Sequence, residues 1–249
     1  MGDLGMQRGT LHELPDQHAT AASFSRASTT LLDPDNLPDL LAQAFASFET
    51  QRPGPVHIEI PLDLMEAPMS AMAAAGAPAT ESLGPPGPDP SVLSRSAERL
   101  AGASQPLIIV GGGAQDAAVA VTALAETLDA PVLNTVNGKG VVSAEHPLAV
   151  GGSPSQPTLR TAMATADVLL AIGTEMGETD YDLLMAEPLA VHPCLIRVDI
   201  DPTQLLIPQP PALGLVCDAA NGARALAEAV LTLTRTSPSA EDGHGRGEE

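Results

Sequence analysis

The chain has 249 residues and a formal net charge of −20, because 31 acidic residues face only 11 basic ones. Such a surface repels phosphate backbones and anionic lipids, which argues against nucleic acid or a membrane surface as a partner. Hydrophobic residues make up 44% of the sequence, enough for a sizeable core, and aromatic residues only 2%, too few to stack bases. No apolar run is long enough to span a membrane, and the N-terminus lacks the apolar core of a signal peptide.

Two cysteines, Cys194 and Cys217, lie in apolar stretches that are typical of strands. Two cysteines do not make a disulfide framework, and their spacing matches no metal site. We therefore expect buried, reduced thiols and a cytoplasmic protein.

The composition divides the chain into four segments. Residues 1–67 have an ordinary globular composition, and residues 68–90, rich in Ala, Pro and Gly, are typical of a linker. Residues 91–235 alternate apolar runs with helical patterns and form the main domain. Residues 236–249 are expected to be a disordered tail.

The first segment contains the pattern of one helix and one strand. Apolar residues recur at helical spacing over residues 36–51, with Asp35 or Asn36 as the expected cap, and residues 56–60 alternate like a strand. One helix and one strand cannot close a core. We therefore expect the last part of a domain whose beginning is missing.

The main domain repeats a strand–helix rhythm. Asp89 is predicted to cap its first helix, with Pro90 at the first helical position. Its strands are mainly apolar, which indicates burial on both faces. The predicted fold class is therefore α/β, a parallel sheet flanked by helices. Strands are predicted at residues 107–110, 131–134, 167–173, 194–200 and 213–217, and helices at residues 89–103, 115–128, 157–165 and 218–233.

In such a sheet, ligands bind beyond the carboxyl ends of the strands. Gly111-Gly-Gly113 follows the first strand, and could let a backbone approach a phosphate or simply form a tight turn. Asp199 and Asp201 follow the fourth strand, and could hold ribose hydroxyls or cap a turn. Lys139, the single lysine, could meet an anion or lie in solvent.

The stretch Arg52-Pro-Gly-Pro-Val-His-Ile-Glu-Ile-Pro-Leu-Asp63 resembles the end of the pyrimidine-binding domain of thiamine-diphosphate enzymes of the acetolactate synthase type. The resemblance continues in order through residues 107–113, 137–147, 166–173 and 196–201, which are similar to the central domain of that family. It implies a part of a 2-oxoacid decarboxylase or acetolactate synthase-like enzyme, a lyase or transferase that uses thiamine diphosphate and Mg²⁺.

The same resemblance implies that this polypeptide is not a complete catalyst. The family's activating glutamate has no counterpart here, and its Gly-Asp-Gly…Asn motif for Mg²⁺ and the diphosphate is absent. We therefore expect no thiamine diphosphate on this chain alone. The resemblance also implies a 2-oxo acid substrate, and either a homo-oligomer or association with a missing diphosphate-binding part.

In the synthases the central domain also holds FAD. Glu175 stands here where the synthases have an arginine, and this loss of a cation weakens the case for FAD. The flavin positions correspond to Gly111, Gly112, Gly113, Thr135, Gly173, Thr174, Asp199, Asp201 and Asp218.

Residues 9–17 are similar to the decarboxylases that act on the guanidino 2-oxo acid of arginine catabolism. Glu13 and Asp16 could there pair with a guanidinium, although a capping or surface role is equally compatible with them. The alternative to an enzyme part is a free-standing nucleotide-binding or scaffold module. A lone helix and strand would expose apolar surface, which favours the enzyme part.

Overall fold

The structure is a computed structural model that describes residues 14–76, 83–178 and 192–236. The chain divides into two compact units, the first ending at Pro85 and the second beginning at Pro86. Within the described residues, no helix is long and apolar enough to cross a membrane.

The first unit is built on two short parallel strands, β1 (Ala27–Thr30) and β2 (Val56–Glu59). Helix α1 (Gln17–Ala22) precedes β1, and helix α2 (Leu37–Thr50) connects the two strands. The predicted helix and strand are confirmed as α2 and β2. The expectation of only one helix and one strand is wrong, because the Ser- and Thr-rich β1 lacks apolar alternation and is a strand through its pairing with β2.

The start of α2 also differs from the prediction. A 3₁₀ turn over Pro34–Asn36 precedes the helix, and the Asp33 carboxylate caps that turn by accepting a hydrogen bond from the Asp35 amide at 3.0 Å. Asn36 makes no side-chain cap, and Asp35 accepts from the Ser70 amide at 2.7 Å. The predicted caps are wrong because a 3₁₀ turn over Pro34–Asn36 directly precedes α2.

Part of the segment expected to be a linker is helical. Helix α3 (Ala71–Ala74) is capped by the Ser70 hydroxyl, which accepts from the Ala73 amide at 3.1 Å. Four residues of alanine-rich sequence therefore form one turn of helix inside this segment.

The second unit contains one six-stranded parallel sheet in the order β5-β4-β3-β6-β7-β8, which confirms the predicted α/β class. The two-residue β5 was not predicted, because so short a segment has no periodicity. The strands are β3 (Pro106–Val110), β4 (Val132–Asn134), β5 (Ala149–Val150), β6 (Val168–Ile172), β7 (Leu195–Asp199) and β8 (Leu213–Val216). The helices are α4 (Pro90–Ala101), α5 (Ala118–Leu128), α6 (Pro157–Thr165) and α7 (Ala219–Thr236).

Successive residues of each strand face opposite sides of this sheet. Val110 and Ile172 belong to the apolar cluster that includes residues of α4, α5 and α7, whereas Ile109 and Leu133 belong to the cluster that includes Met163 of α6. Both faces are therefore covered, which explains why the strands read as unbroken apolar runs.

The predicted cap of α4 is confirmed. The Asp89 carboxylate accepts hydrogen bonds from the amides of Ser91 at 2.9 Å and Val92 at 3.1 Å, and Pro90 opens the helix. These bonds lower the pKa of Asp89, the Ser91 hydroxyl contributing most.

Candidate functional site

The candidate site lies where the strand order reverses. From β3 the chain runs outward to β4 and β5, then returns to β6 on the other side of β3. In open parallel sheets a ligand crevice forms at this point, beyond the carboxyl ends of the two central strands. The loops that follow β3 and β6 are therefore the ones to inspect.

Those two loops are in direct contact. The Gly111 amide donates to the Ile172 carbonyl, and the Gly113 amide donates to the Gly173 carbonyl, both at 2.9 Å. A Cβ atom on Gly111 would lie 2.6 Å from Thr174 Cα, and a Cβ on Gly113 would lie 3.1 Å from Gly173 Cα. Because Gly111 and Gly113 have no side chains, the loop after β6 can approach them closely.

The two predicted threonines at this edge are buried and bonded within their own loops. The Thr135 hydroxyl accepts from the Gly138 amide at 3.1 Å, and the Thr174 hydroxyl accepts from the Met176 amide at 3.1 Å. Gly173 has a φ of +57°, which places the turn after β6 in the left-handed region that favours glycine.

The predicted carboxylates hold turns and a helix start. Asp199 accepts from the Asp201 amide at 2.9 Å, and Asp201 accepts from the amide and hydroxyl of Thr203 at 2.9 and 2.6 Å. Asp218 accepts from the Asn221 amide at 3.0 Å at the beginning of α7. These bonds correspond to the capping alternative that the sequence left open.

The Cys217 thiol is buried near the carboxylates of Asp218 and Asp199. Burial, followed by the charges of Asp218 and Asp199, raises its pKa to about 12. The thiol is therefore protonated at neutral pH.

The residues at this edge do not fit the diphosphate of a flavin. The Gly111 and Gly113 amides already donate to main-chain carbonyls, and a 3₁₀ turn over Gly112–Ala117, not an α-helix, follows β3. The carboxylates of Asp199, Asp201 and Asp218 lie at or just beyond the ends of β7 and β8, where they would repel phosphate. Among the described residues, no group of three or more His, Cys, Asp or Glu could hold a metal ion.

Sequence reasoning missed a buried cation beside this edge. Arg197 of β7 is only 1% exposed, and its guanidinium donates to the carbonyls of Thr174 at 3.0 Å and Leu205 at 3.2 Å. It also donates to the Ile207 carbonyl. Arg197 thus ties the loop after β6 to residues 205–207, and the signal in the sequence was a single charged residue inside an apolar strand.

Of the two predicted substrate residues, Asp16 is among the described residues. Glu13 is outside the described residues. The Asp16 carboxylate accepts from the Ala19 amide at 2.7 Å and caps α1.

His57 of β2 is close to two polar side chains of the first unit. The structure places its Nδ1 atom 3.0 Å from the Ser28 hydroxyl, which lies 3.2 Å from Nδ1 of His18. These three side chains form a polar cluster on one face of β1 and β2.

The family model for the thiamine pyrophosphate enzyme central domain matches residues 93–226, which is more than half of the chain. The chain belongs to the thiamine pyrophosphate enzyme family. The match runs from α4 into α7 and so includes all six strands of the second unit.

Individual relatives of this thiamine pyrophosphate enzyme chain agree with that assignment. A Pseudomonas aeruginosa protein named Probable 2-ketoarginine decarboxylase AruI is 41% identical over 90% of this chain and 39% of its own length. Glyoxylate carboligase of Escherichia coli O157:H7 is 29% identical over 82% of this chain and 35% of its own length. The chain thus spans about two fifths of the curated relatives it matches.

Among solved structures, benzoylformate decarboxylase from Polynucleobacter necessarius has the same fold. The superposition covers 83% of this chain and 38% of that one, with a TM-score of 0.68 and 22% identity.

Proposed function

We propose that this chain supplies the central domain, and the end of a pyrimidine-binding domain, of a thiamine-diphosphate-dependent 2-oxoacid decarboxylase or acetolactate synthase-like enzyme. The observation that carries the proposal is the six-stranded parallel sheet together with the family match over residues 93–226. In this proposal residues 1–67 are the pyrimidine-binding part and residues 68–90 the linker. The two free cysteines support a cytoplasmic location.

The first unit supports a role within a larger assembly. A two-stranded parallel sheet is rare by itself, because parallel strands are normally covered on both faces. Phe24, Leu32 and Phe45 are 70%, 72% and 64% exposed, and such apolar surface normally packs against a partner. We infer association with a diphosphate-binding part or with a second copy of the enzyme.

Thiamine diphosphate and Mg²⁺ belong to that larger assembly in this proposal. We assign no catalytic step to the described residues, which contain no group of three or more His, Cys, Asp or Glu that could hold a metal ion. Likewise, the loops after β3 and β6 are proposed to hold the domain together and not to bind FAD. A purified chain that is yellow, with an absorbance band near 450 nm, would contradict this.

The name of the 41% identical relative suggests the substrate class. We propose a guanidino 2-oxo acid as the substrate of the complete enzyme, with Glu13 and Asp16 as candidate partners of its guanidinium. In the complete enzyme, Glu13→Gln is expected to raise KM for the guanidino acid and leave KM for 2-oxobutyrate unchanged. An equal effect on both substrates would contradict this role.

A replacement experiment tests the proposed function. The matching stretch of the Pseudomonas relative is exchanged for this chain, and release of CO₂ from 5-guanidino-2-oxopentanoate is measured. Activity within about tenfold of the parent is expected, because the central domain would keep its packing with the rest of the enzyme. A chimera that folds, binds thiamine diphosphate and is inactive would contradict the proposal, and the isolated chain serves as the inactive control.

A further inference from the structure

A cavity of about 460 Å³ lies within the first unit, between α2 and one face of the β1–β2 pair. Its size is that of a site for a small organic molecule. Leu40 and Ala44 of α2, one helical turn apart, line it from one side, and Val56 and Ile58 of β2 line it from the other. The cavity therefore has an apolar part between α2 and β2, and the polar residues Thr29, Gln43, Ser47 and Gln51 also line it, together with Arg26.

One charged residue borders this cavity. Arg26, at the start of β1, is the single ionisable residue among the ten that line it. This is unexpected in a protein with almost three times as many acidic as basic residues. The cavity therefore carries a positive charge where the rest of the molecule is strongly negative.

The guanidinium of Arg26 is held in place by a neutral group. Its Nε and Nη2 atoms donate to the side-chain oxygen of Gln51, at 3.2 and 2.9 Å. The Arg26 amide donates to the Pro55 carbonyl at 2.8 Å, which fixes the backbone. Within the described part of the chain, no carboxylate pairs with this guanidinium. A guanidinium has five donors in a planar fork, which match the two oxygens of a carboxylate.

We propose that this cavity binds a small aliphatic monocarboxylate. Arg26 receives the carboxylate at the mouth, and the apolar side chains of Leu40, Ala44, Val56 and Ile58 contact the hydrocarbon chain. Charge selects the head group, and removal of apolar surface from water supplies most of the affinity. This inference does not rest on the proposed function, since the site uses residues of the first unit alone.

Three ligands with the same six-carbon chain test the head group. Hexanoate, hexanamide and hexylammonium are titrated into the purified chain, and binding is followed by ligand-observed NMR. We expect hexanoate to bind about tenfold more tightly than hexanamide, and hexylammonium to show no binding, because the single charge at the mouth is positive. Equal affinities for all three, or no binding of hexanoate at millimolar concentration, would overturn the proposal.

Variants then test the residues. Arg26→Gln is expected to reduce hexanoate binding to the level of hexanamide and to leave hexanamide unchanged. Arg95→Gln removes an exposed charge from the second unit and is expected to bind like the parent. Ala44→Phe, or Ser47→Leu if the former does not fold, fills the cavity and is expected to abolish binding of both ligands; circular dichroism checks the fold. Unchanged hexanoate binding in Arg26→Gln or in the filled variants would refute the site.

A fourth ligand, 2-oxohexanoate, distinguishes two sources of the carboxylate. Tighter binding of 2-oxohexanoate than of hexanoate supports a site for 2-oxo acids, and equal binding supports a site for simple fatty acids. Binding of neither acid overturns the proposal. Because no turnover is measured, a negative result would leave the proposed enzyme function unaffected.

Discussion

At the scale of single residues, Gly111 shows how the absence of a side chain lets the loops after β3 and β6 pack together. A Cβ at this position would lie 2.6 Å from Thr174 Cα, a backbone atom that cannot move away by a change of rotamer. Gly111→Ala is therefore expected to lower the free energy of unfolding by about 2 kcal/mol, as for other overpacked sites. Urea denaturation of the purified chain measures this.

Gly151→Ala is the matched control for that substitution. Gly151 is exposed and does not have a positive φ, and a Cβ atom added there would meet no other atom within 4 Å. The change in unfolding free energy should therefore stay within about 0.5 kcal/mol. If the two alanine variants are equally stable, the loops after β3 and β6 are not packed as described.

The two thiols should differ in reactivity. Burial and the nearby charges of Asp218 and Asp199 raise the pKa of Cys217 to about 12, and the reactive species is the thiolate. In the native protein at pH 8, a disulfide reagent such as DTNB is expected to leave Cys217 unmodified. Cys194 is half-buried and is the thiol expected to react.

The variant Cys194→Ser isolates Cys217 in that experiment. It should show no rapid native reaction and one thiol after unfolding in guanidinium chloride. Rapid modification of native Cys194→Ser would show that the end of β8 opens to solvent.

The candidate site illustrates what a sequence can indicate at this scale. Gly111, Gly113, Asp199 and Asp218 were singled out correctly as residues at the carboxyl edge. The sequence could not decide their roles. A glycine without a Cβ atom suits either a bound ligand or a neighbouring loop, and a carboxylate can accept from either a ribose hydroxyl or a turn amide. In the structure Gly111 and Gly113 contact Gly173, and Asp199 and Asp218 accept hydrogen bonds from the amides of Asp201 and Asn221.

At the scale of elements, the stability of α4 should depend on pH. Hydrogen bonds from Ser91 and Val92 lower the pKa of Asp89 below its ordinary value of 3.8. A carboxyl group whose pKa is lower in the folded protein than in the unfolded chain stabilises the fold fully at pH values above its unfolded pKa. This stabilisation is lost as the pH falls through the folded pKa. The urea midpoint should therefore decrease below about pH 4, in part through Asp89.

Two variants of Asp89 separate charge from capping. Asp89→Asn keeps an acceptor for the helix start and should show a weaker decrease in the urea midpoint between pH 6 and pH 3. Asp89→Ala removes the acceptor and should be less stable than the parent at pH 6. Parallel pH curves for the parent and Asp89→Asn would contradict the assignment.

Helices and strands could be predicted from the sequence where their burial requires a regular pattern of apolar residues. The central strands of the second unit are covered on both faces, so β3 and β6 are unbroken apolar runs that are easy to recognise. β1, Ala27-Ser-Thr-Thr30, has no such run and depends on pairing with β2. The predicted cap of α2 was wrong because Asp33, Asp35 and Asn36 are all favourable cap residues. The sequence does not show that a 3₁₀ turn capped by Asp33 precedes the helix.

At the scale of the whole molecule, the net charge of −20 should make stability depend on salt. Repulsion among like charges destabilises the compact state, and ions screen it with a Debye length of about 8 Å at 0.15 M. The urea midpoint is therefore expected to increase with NaCl, with most of the increase below about 0.15 M. An increase that continues linearly to 1 M would indicate a general salting-out effect instead.

The contact between Gly111 and Gly173 has a consequence for variation in this domain. A Cβ on Gly111 would meet the Gly173–Thr174 backbone, and a Cβ on Gly173 would lie 2.9 Å from Gly113 Cα. Changing either loop therefore requires the other to move, so single substitutions at the two positions should be non-additive. In a library randomised at both codons and selected for folding, most folded variants should have glycine at both positions. The rare folded variants without this pair should carry substitutions at both positions.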